Sequence, residues 1–326
     1  MNRYKVSVII PVFNAGNYLR ECLDSLINQT LKDMEFILVL DCPTDGSESI
    51  CSEYEAKDQR IKLVVNGESL HIGCSRNRGL EIAQGEYIGF SDHDDYRELY
   101  MYEKLYHRAK KNKSDVVLGV TVNDENGQRR VFDYPLIEEK AIGEFAVRDL
   151  IGCGNNRDDI PLAVNVHSNL YKRELLLRNQ IKFVDTKKIV PEDRLFNLEC
   201  LLYAKRTDLE RTPLYYHRIL EHSEGHQASY FDPTKRLAYV DKSFHILSTG
   251  NFLLQYENEF NVGAAKYLWN ILLGTLLSKK TILVFPMILS EIKSRPYTKQ
   301  VFNHIEIKND KTWIKLIKIL LSTYLR

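Results

Sequence analysis

The chain has 326 residues, a formal net charge of +1, 44% hydrophobic residues and 27% charged residues. That length supports a large core, two subdomains and an extension. A near-neutral balance supplies no global field for nucleic acid, and no nucleic-acid partner is expected. The cysteines form no Cys-x-x-Cys pair and have no zinc-finger spacing. Cys22, Cys51 and Cys200 fall on apolar helix faces and read as buried free thiols of a reducing compartment. Met1-Asn-Arg-Tyr-Lys enters a strand without a signal-peptide apolar region, and no uncharged run reaches the about 18 residues that a spanning helix needs. A cytoplasmic protein is expected.

In chain order, Val6-Ser-Val-Ile-Ile-Pro11-Val-Phe-Asn14 begins as a β-branched run, the pattern of a strand buried on both faces of a parallel sheet, with Pro11 expected to end its ladder. Asn17 is placed to cap a helix with Leu19, Cys22, Leu23 and Leu26 inward. A second buried strand, Glu35 to Asp41, precedes Asp45-Gly-Ser-Glu48, which has capping-box spacing. A third strand, Ile61 to Val65, leads to a helix over Ser75 to Gln84. Such alternation builds βαβ units and a mostly parallel sheet, whose ligands sit at the carboxyl ends of the strands. Asn14, Asp41 and Asp92 stand at three such ends. No G-x-G-x-x-G follows the first three strands and no P-loop motif occurs, which disfavours dinucleotide and P-loop sites.

The stretch Gly85-Glu-Tyr-Ile-Gly-Phe-Ser-Asp92-His93-Asp94-Asp95 runs an apolar strand into three carboxylates. Hard oxygen ligands at a sheet rim suit Mg²⁺ or Mn²⁺ beside a phosphate-bearing substrate, while a solvated turn capping the next helix is the plainer alternative.

Four ordered blocks decide between these. Val6-Ser-Val-Ile-Ile-Pro-Val-Phe-Asn-Ala, Leu40-Asp-Cys-Pro-Thr-Asp-Gly-Ser, Gly73-Cys-Ser-Arg76-Asn-Arg-Gly-Leu and the acidic strand end together resemble family 2 glycosyltransferases of the GT-A fold. The resemblance implies an inverting, metal-dependent transferase that takes a sugar from a nucleotide-sugar, UDP-linked by preference, to a hydroxyl acceptor, as in assembly of a bacterial surface polysaccharide. It implies a GT-A domain over 1–230, with a donor half at 1–99 and an acceptor half at 100–230. It also implies a metal at Asp94 with Asp92, and nucleotide-sugar contacts from Pro11, Phe13, Asn14, Asp41, Arg76, Asp92 and His93. The second block departs from the family's Asp-Asp-Gly-Ser-Thr-Asp, leaving Asp41 as the one acid of the expected pair. His93 is bulkier than the residue usual inside the D-x-D.

Further on, Tyr102, Leu105, Tyr106 and Ala109 give an amphipathic helix over Tyr100 to Asn112, and Asp115 to Val122 reads as a strand. Val166-His-Ser-Asn-Leu-Tyr-Lys-Arg is similar to a family segment in which Trp-Asn-Lys stands where this chain has His167, Ser168 and Asn169. Val190-Pro-Glu192-Asp193 opens a helix and matches the family's Glu-Asp motif. Acids in a first helical turn also complement the helix dipole without chemistry. By family position Asp193 is the base, on the face opposite the leaving diphosphate, and Glu192 orients it or binds acceptor hydroxyls. Tyr215-Tyr-His-Arg218-Ile-Leu-Glu-His222-Ser-Glu-Gly-His226 reads either as a His-rich surface loop or as a flap with Arg218 on the diphosphate and His222 near the metal.

Residues 231–326 carry no strand alternation and are expected to form a helical extension. Over 310–326, Trp313, Leu316, Ile317, Leu320, Leu321 and Tyr324 oppose Lys311, Lys315, Lys318 and Arg326. Such a helix either docks on its own domain or meets an anionic membrane that presents a lipid-linked or other glycan acceptor. A nucleotidyltransferase and a non-catalytic nucleotide-sugar-binding domain are the alternative functions.

Overall fold

The computed structural model describes residues 3–131, 134–152, 162–220, 232–277 and 282–303. The chain order is β1 (Tyr4–Val12), α1 (Leu19–Ile27), β2 (Met34–Leu40), α2 (Ser47–Lys57), β3 (Ile61–Val65), α3 (His71–Ile82), β4 (Gly85–Phe90), β5 (Tyr96–Arg97), α4 (Met101–Asn112), β6 (Val116–Glu125) and β7 (Gln128–Val131). There follow α5 (Ile142–Gly152), β8 (Leu170–Lys172), α6 (Arg173–Arg178), α7 (Glu192–Tyr203), β9 (Thr207–Arg218), α8 (Pro233–Thr249), α9 (Leu253–Leu277), α10 (Phe285–Ser294) and α11 (Thr298–Phe302).

One curled sheet runs in the order β3-β2-β1-β4-β8-β6-β9-β5, with β7 on the flank of β6. The β3-β2-β1-β4 run is parallel throughout, and β6 and β9 form a second parallel pair. The short β8 joins these two runs antiparallel to both neighbours. Along β1 the pleat sends Val6, Val8, Ile10 and Val12 to a core shared with α1, α2 and α4. Ile9 points to the opposite core, which extends through α5 and α7 to α8, α9, α10 and α11. The C-terminal helices therefore bury their apolar faces on the same core as the sheet. Among the described residues no helix is long and apolar enough to cross a membrane.

Several local expectations change. Pro11 does not end β1: it stays in register with Val39 of β2. The β1–β4 ladder has stopped at the Ile9–Phe90 pair, so the missing N–H falls where β4 no longer runs alongside. Asn17 does not cap α1; it lies inside a single 3₁₀ turn, Gly16–Tyr18, ahead of that helix. The capping box at Asp45 is replaced by a neighbouring device. Gly46 is the N-cap of α2, and the Asp45 carboxylate accepts from the Ser47 amide at 3.1 Å and from the Gly16 amide at 2.8 Å. Tyr215 to Arg218 is strand rather than loop, the C-terminal end of β9 paired with β6. Cys22, Cys51 and Cys200 are buried free thiols as expected.

Candidate active site

Adjacent strands β2, β1 and β4 end side by side, bringing Asp41, Phe13 with Asn14, and Asp92 to one rim of the sheet. Ile9 and Pro11, two residues apart, direct their backbone groups toward β4. The Ile9 carbonyl takes the Ser91 amide at 3.0 Å. The Pro11 carbonyl, one step beyond the ladder, is met at 3.1 Å by Nδ1 of His93. His93 thus stands in for the next backbone donor and clasps the acidic loop to the end of β1.

Within that loop the three carboxylates have different surroundings. Asp92 has its Oδ1 3.0 Å from Arg76 Nη2 and its Oδ2 3.3 Å from His167 Nδ1. Burial works against its charge, but His167 and Arg76 prevail and hold it well below the usual carboxylate range. Asp95 is fully buried and accepts from the Tyr215 hydroxyl at 2.7 Å, the Arg218 amide at 2.8 Å and His217 Nδ1 at 3.3 Å. Burial disfavours a charged His217 ring, but Asp95 beside it lifts the imidazole to about 9. No donor from another described residue reaches the Asp94 carboxylate, and burial, then the charge of Asp95, raises its pKa.

Besides Asp92, His167 is held by a ring and a hydroxyl. Its ring stacks on Tyr215 with centroids 4.2 Å apart, and Nε2 lies 3.3 Å from Thr121 Oγ1. The loop that carries it lies directly on β6: a Cβ at Gly119 would stand 2.2 Å from the Ser168 carbonyl oxygen. Only glycine leaves room for that approach.

Arg76 of α3 joins the two sides of the site. It is 1% exposed, and its guanidinium lies over the Phe183 ring at 5.1 Å. Nη2 donates to Asp92, while Nη1 donates to Asp193 Oδ1 at 2.5 Å and to Glu192 Oε1 at 3.2 Å, both in the first turn of α7. Three carboxylates around one guanidinium leave excess negative charge. Burial, opposed by Arg76 and reinforced by Glu192 and Asp92, raises Asp193 to about 7. No donor from the described residues reaches Asp193 Oδ2, and the residue lines a cavity of about 460 Å³.

On the nucleotide side, Phe13 is 45% exposed, and Asn14, at φ +46°, accepts the Thr44 amide at 2.7 Å. Asp41 is used differently from a free recognition carboxylate. It accepts from Asn66 Nδ2, Ser69 Oγ and the Leu70 and His71 amides, all within 2.9 Å. Burial pushes its pKa up, but these donors together bring it below the ordinary value. The Arg218 guanidinium lies between the rings of Tyr18 and Tyr96, at 4.8 and 4.6 Å, and bonds the Asp94 carbonyl and Glu21. His222 lies outside the described residues, as does the 310–326 segment.

The structure thus gathers Arg76, Asp92, Glu192 and Asp193 into one network, with Asp94 and Arg218 on the loop beside it. Sequence reasoning assigned no role to Asp95, His167 or Tyr215. The Asp94-Asp95 doublet and the histidine where the family segment carries Trp were the available signals. Asp92, Asp95 and His167 place ligand-type atoms within 4.8 Å of one another. Asp95 already satisfies protein donors on both oxygens, whereas Asp94 does not, so Asp94 is the better fit to a hard divalent cation.

A family profile, Glycosyl transferase family 2, matches residues 7–168. The "Uncharacterized glycosyltransferase EpsJ" of Bacillus subtilis is 33% identical over 215 residues, 65% of this chain and 60% of the relative. The "Cholesterol galactosyltransferase" of Borreliella burgdorferi is 32% identical over 270 residues, 80% of this chain and 70% of the relative. The chain therefore spans less than two thirds of the first relative and slightly more of the second. The S. aureus TarS 1–349 crystal structure in complex with UDP-GlcNAc shares the fold with a TM-score of 0.71 at 22% identity, covering 99% of this chain and 87% of that one. Sequence blocks, sheet topology and relatives agree, and the chain belongs to glycosyltransferase family 2.

Proposed function

We propose that the protein transfers a sugar from a UDP-linked donor to a hydroxyl acceptor with inversion, Asp193 acting as the base. The observation that carries this reading is the position of Asp193: Oδ1 is anchored by Arg76, Oδ2 has no donor among the described residues, and the residue lines the cavity. The acceptor oxygen attacks the anomeric carbon from the side of Asp193, the bond to the diphosphate oxygen breaks, and the hydroxyl proton passes to Oδ2. A carboxyl near 7 is matched to that task at neutral pH. Glu192 shares Arg76 and orients its neighbour.

Asp94 would hold Mg²⁺ or Mn²⁺, with Asp92 able to join only by giving up a bond to Arg76 or His167, and the ion's charge would offset that of the departing diphosphate. Phe13 offers an exposed ring to the base, and Arg218 stands beside the loop for the diphosphate. The UDP-GlcNAc held by the S. aureus neighbour supports a UDP donor. We assign residues 1–230 to the transferase domain and 231–326 to a helical extension. The basic amphipathic pattern of 310–326 supports contact with the anionic inner face of a cytoplasmic membrane, where a lipid-linked glycan acceptor would be met.

The test is UDP release from a panel of UDP-sugars with Mn²⁺. Asp193→Asn is expected to lose about 10²–10⁴-fold in rate while still binding UDP. Asp94→Ala should lose metal-dependent UDP binding as well. Undiminished turnover in Asp193→Asn would remove the base assignment.

A further inference from the structure

We propose that Arg97 is a positioning residue for the divalent cation, a buried guanidinium that holds the backbone of the acidic loop in the shape that receives the metal. This rests on the reading of Asp94 as a metal ligand. Arg97 lies on β5, paired with Tyr215 of β9, and is 3% exposed. Its Nη2 donates to Ser91 Oγ at 2.6 Å, just before the loop acids, and to the Asp95 carbonyl at 3.4 Å, just after Asp94. Ser91 passes the contact on, its hydroxyl donating to the Asp92 carbonyl at 2.9 Å. Cys22 Sγ, 3.7 Å from the same Nη2, reaches that carbonyl at 3.4 Å. The guanidinium also lies 5.4 Å from the centre of the Tyr215 ring, whose hydroxyl takes the Asp92 amide and donates to the Asp95 carboxylate. The residues on both sides of Asp94 are thus held through Arg97 and its partners.

A buried cation is costly unless an acid pairs with it. Among the described residues no carboxylate forms an ion pair with Arg97, and its Nε and Nη1 have no hydrogen-bond partner. Its neighbours supply no anion either. Burial pushes the Cys22 thiol up despite the pull of Arg97, and burial lifts the Tyr215 hydroxyl well above its usual value, so both stay neutral. An apolar side chain of similar length would serve packing alone, so the charge matters where it meets the loop. There a guanidinium bound to backbone and hydroxyl oxygens fixes the turn without occupying the Asp94 carboxylate. Two effects oppose each other at the metal: the fixed backbone favours binding, and the positive charge repels the ion. Three loop carboxylates outweigh one guanidinium in charge, so orientation decides the sign.

The experiment is titration of the full chain, saturated with UDP, by Mn²⁺, with the free ion read by electron paramagnetic resonance. Arg97→Met is expected to bind Mn²⁺ about 10–100-fold more weakly than the parent. Arg97→Lys, which keeps the charge but has no fork to span Ser91 and Asp95, should retain part of the affinity. Glu35→Gln controls for lost stability. Glu35 is fully buried near the start of β2, away from the rim that carries the site, and accepts from Ser7 and the Gln84 amide. Its variant should unfold at lower temperature with Mn²⁺ affinity unchanged. Should Arg97→Met fail to fold, Ser91→Ala carries the test, with binding weakened about 3-fold or more. Equal or tighter binding by Arg97→Met, unchanged binding by Ser91→Ala, or an equal loss in Glu35→Gln overturns the proposal. A parent that binds no Mn²⁺, or an Asp94→Ala that binds it as the parent does, overturns the metal reading and this proposal together. Arg97 fails alone when Asp94→Ala loses the ion and Arg97→Met does not.

Discussion

Replacing Arg76 by methionine removes the guanidinium that bridges Asp92, Glu192 and Asp193 while keeping a side chain of similar length on Phe183. The side chains of those three acids are 22%, 10% and 19% exposed, so water cannot replace the guanidinium at full strength. Removing one partner of a buried pair typically costs about 3–5 kcal/mol. Here three carboxylates share one guanidinium, which argues for the upper part of that range at pH 8. Two of the carboxylates can escape by taking up protons. Their folded pKa values then rise above the unfolded value of about 4, so the folded variant binds more protons than the unfolded chain. Their contribution to its stability is greatest below pH 4 and falls as pH rises through the folded values, so the deficit relative to the parent narrows toward acid. Urea unfolding of parent and variant at pH 5 and pH 8 measures both effects. A variant within about 1 kcal/mol of the parent at pH 8, or a deficit equal at the two pH values, would refute the account of Arg76 as the charge anchor of the site.

Three further outcomes follow from the same geometry. The rate of UDP release should rise with pH through about 7 as Asp193 loses its proton, and a flat profile between pH 6 and pH 8 would contradict the elevated carboxyl. Asp95→Asn should cost about 2–3 kcal/mol in thermal or urea unfolding, because it weakens charge-assisted bonds from Tyr215, the Arg218 amide and His217. Unchanged stability would return Asp95 to the ligand set. His93→Ala leaves the Pro11 carbonyl without its side-chain donor and should cost about 1 kcal/mol, with loss of UDP affinity as the acidic loop loosens. Restoration by Asn, whose amide can donate, but not by Leu would show that the hydrogen bond and not bulk matters.

The N-terminal half was legible because its strands are apolar on both faces, and a run such as Val6 to Val12 admits few other folds. β9 was not. Thr207-Asp-Leu-Glu-Arg-Thr-Pro mixes charges, and its pairing with β6 shifts register around Gly119 to Thr121, so no clean alternation appears in the sequence. The position of Asp92, Asp94 and Asp193 followed from motifs, but their surroundings did not. Asp92 meets His167 across 75 residues, and Arg76 meets Asp193 across 117, contacts that only the closed sheet creates. Asp41 shows the same limit from the other side. Its identity was readable, whereas the four donors that occupy it arise from the loop after β3 and the first residue of α3.

The C-terminal helices have a consequence for exchange between relatives. Gly263 of α9 touches the end of α5 so closely that a Cβ there would stand 1.9 Å from the Ile151 carbonyl oxygen. Swapping the extension for that of another transferase would therefore require transplanting the last turn of α5 with it. A chimera cut at the end of β9 alone would meet a steric mismatch at this contact and expose apolar surface now shared with the sheet. Recombination that respects the join between Gly263 and Ile151 is the kind this architecture can tolerate.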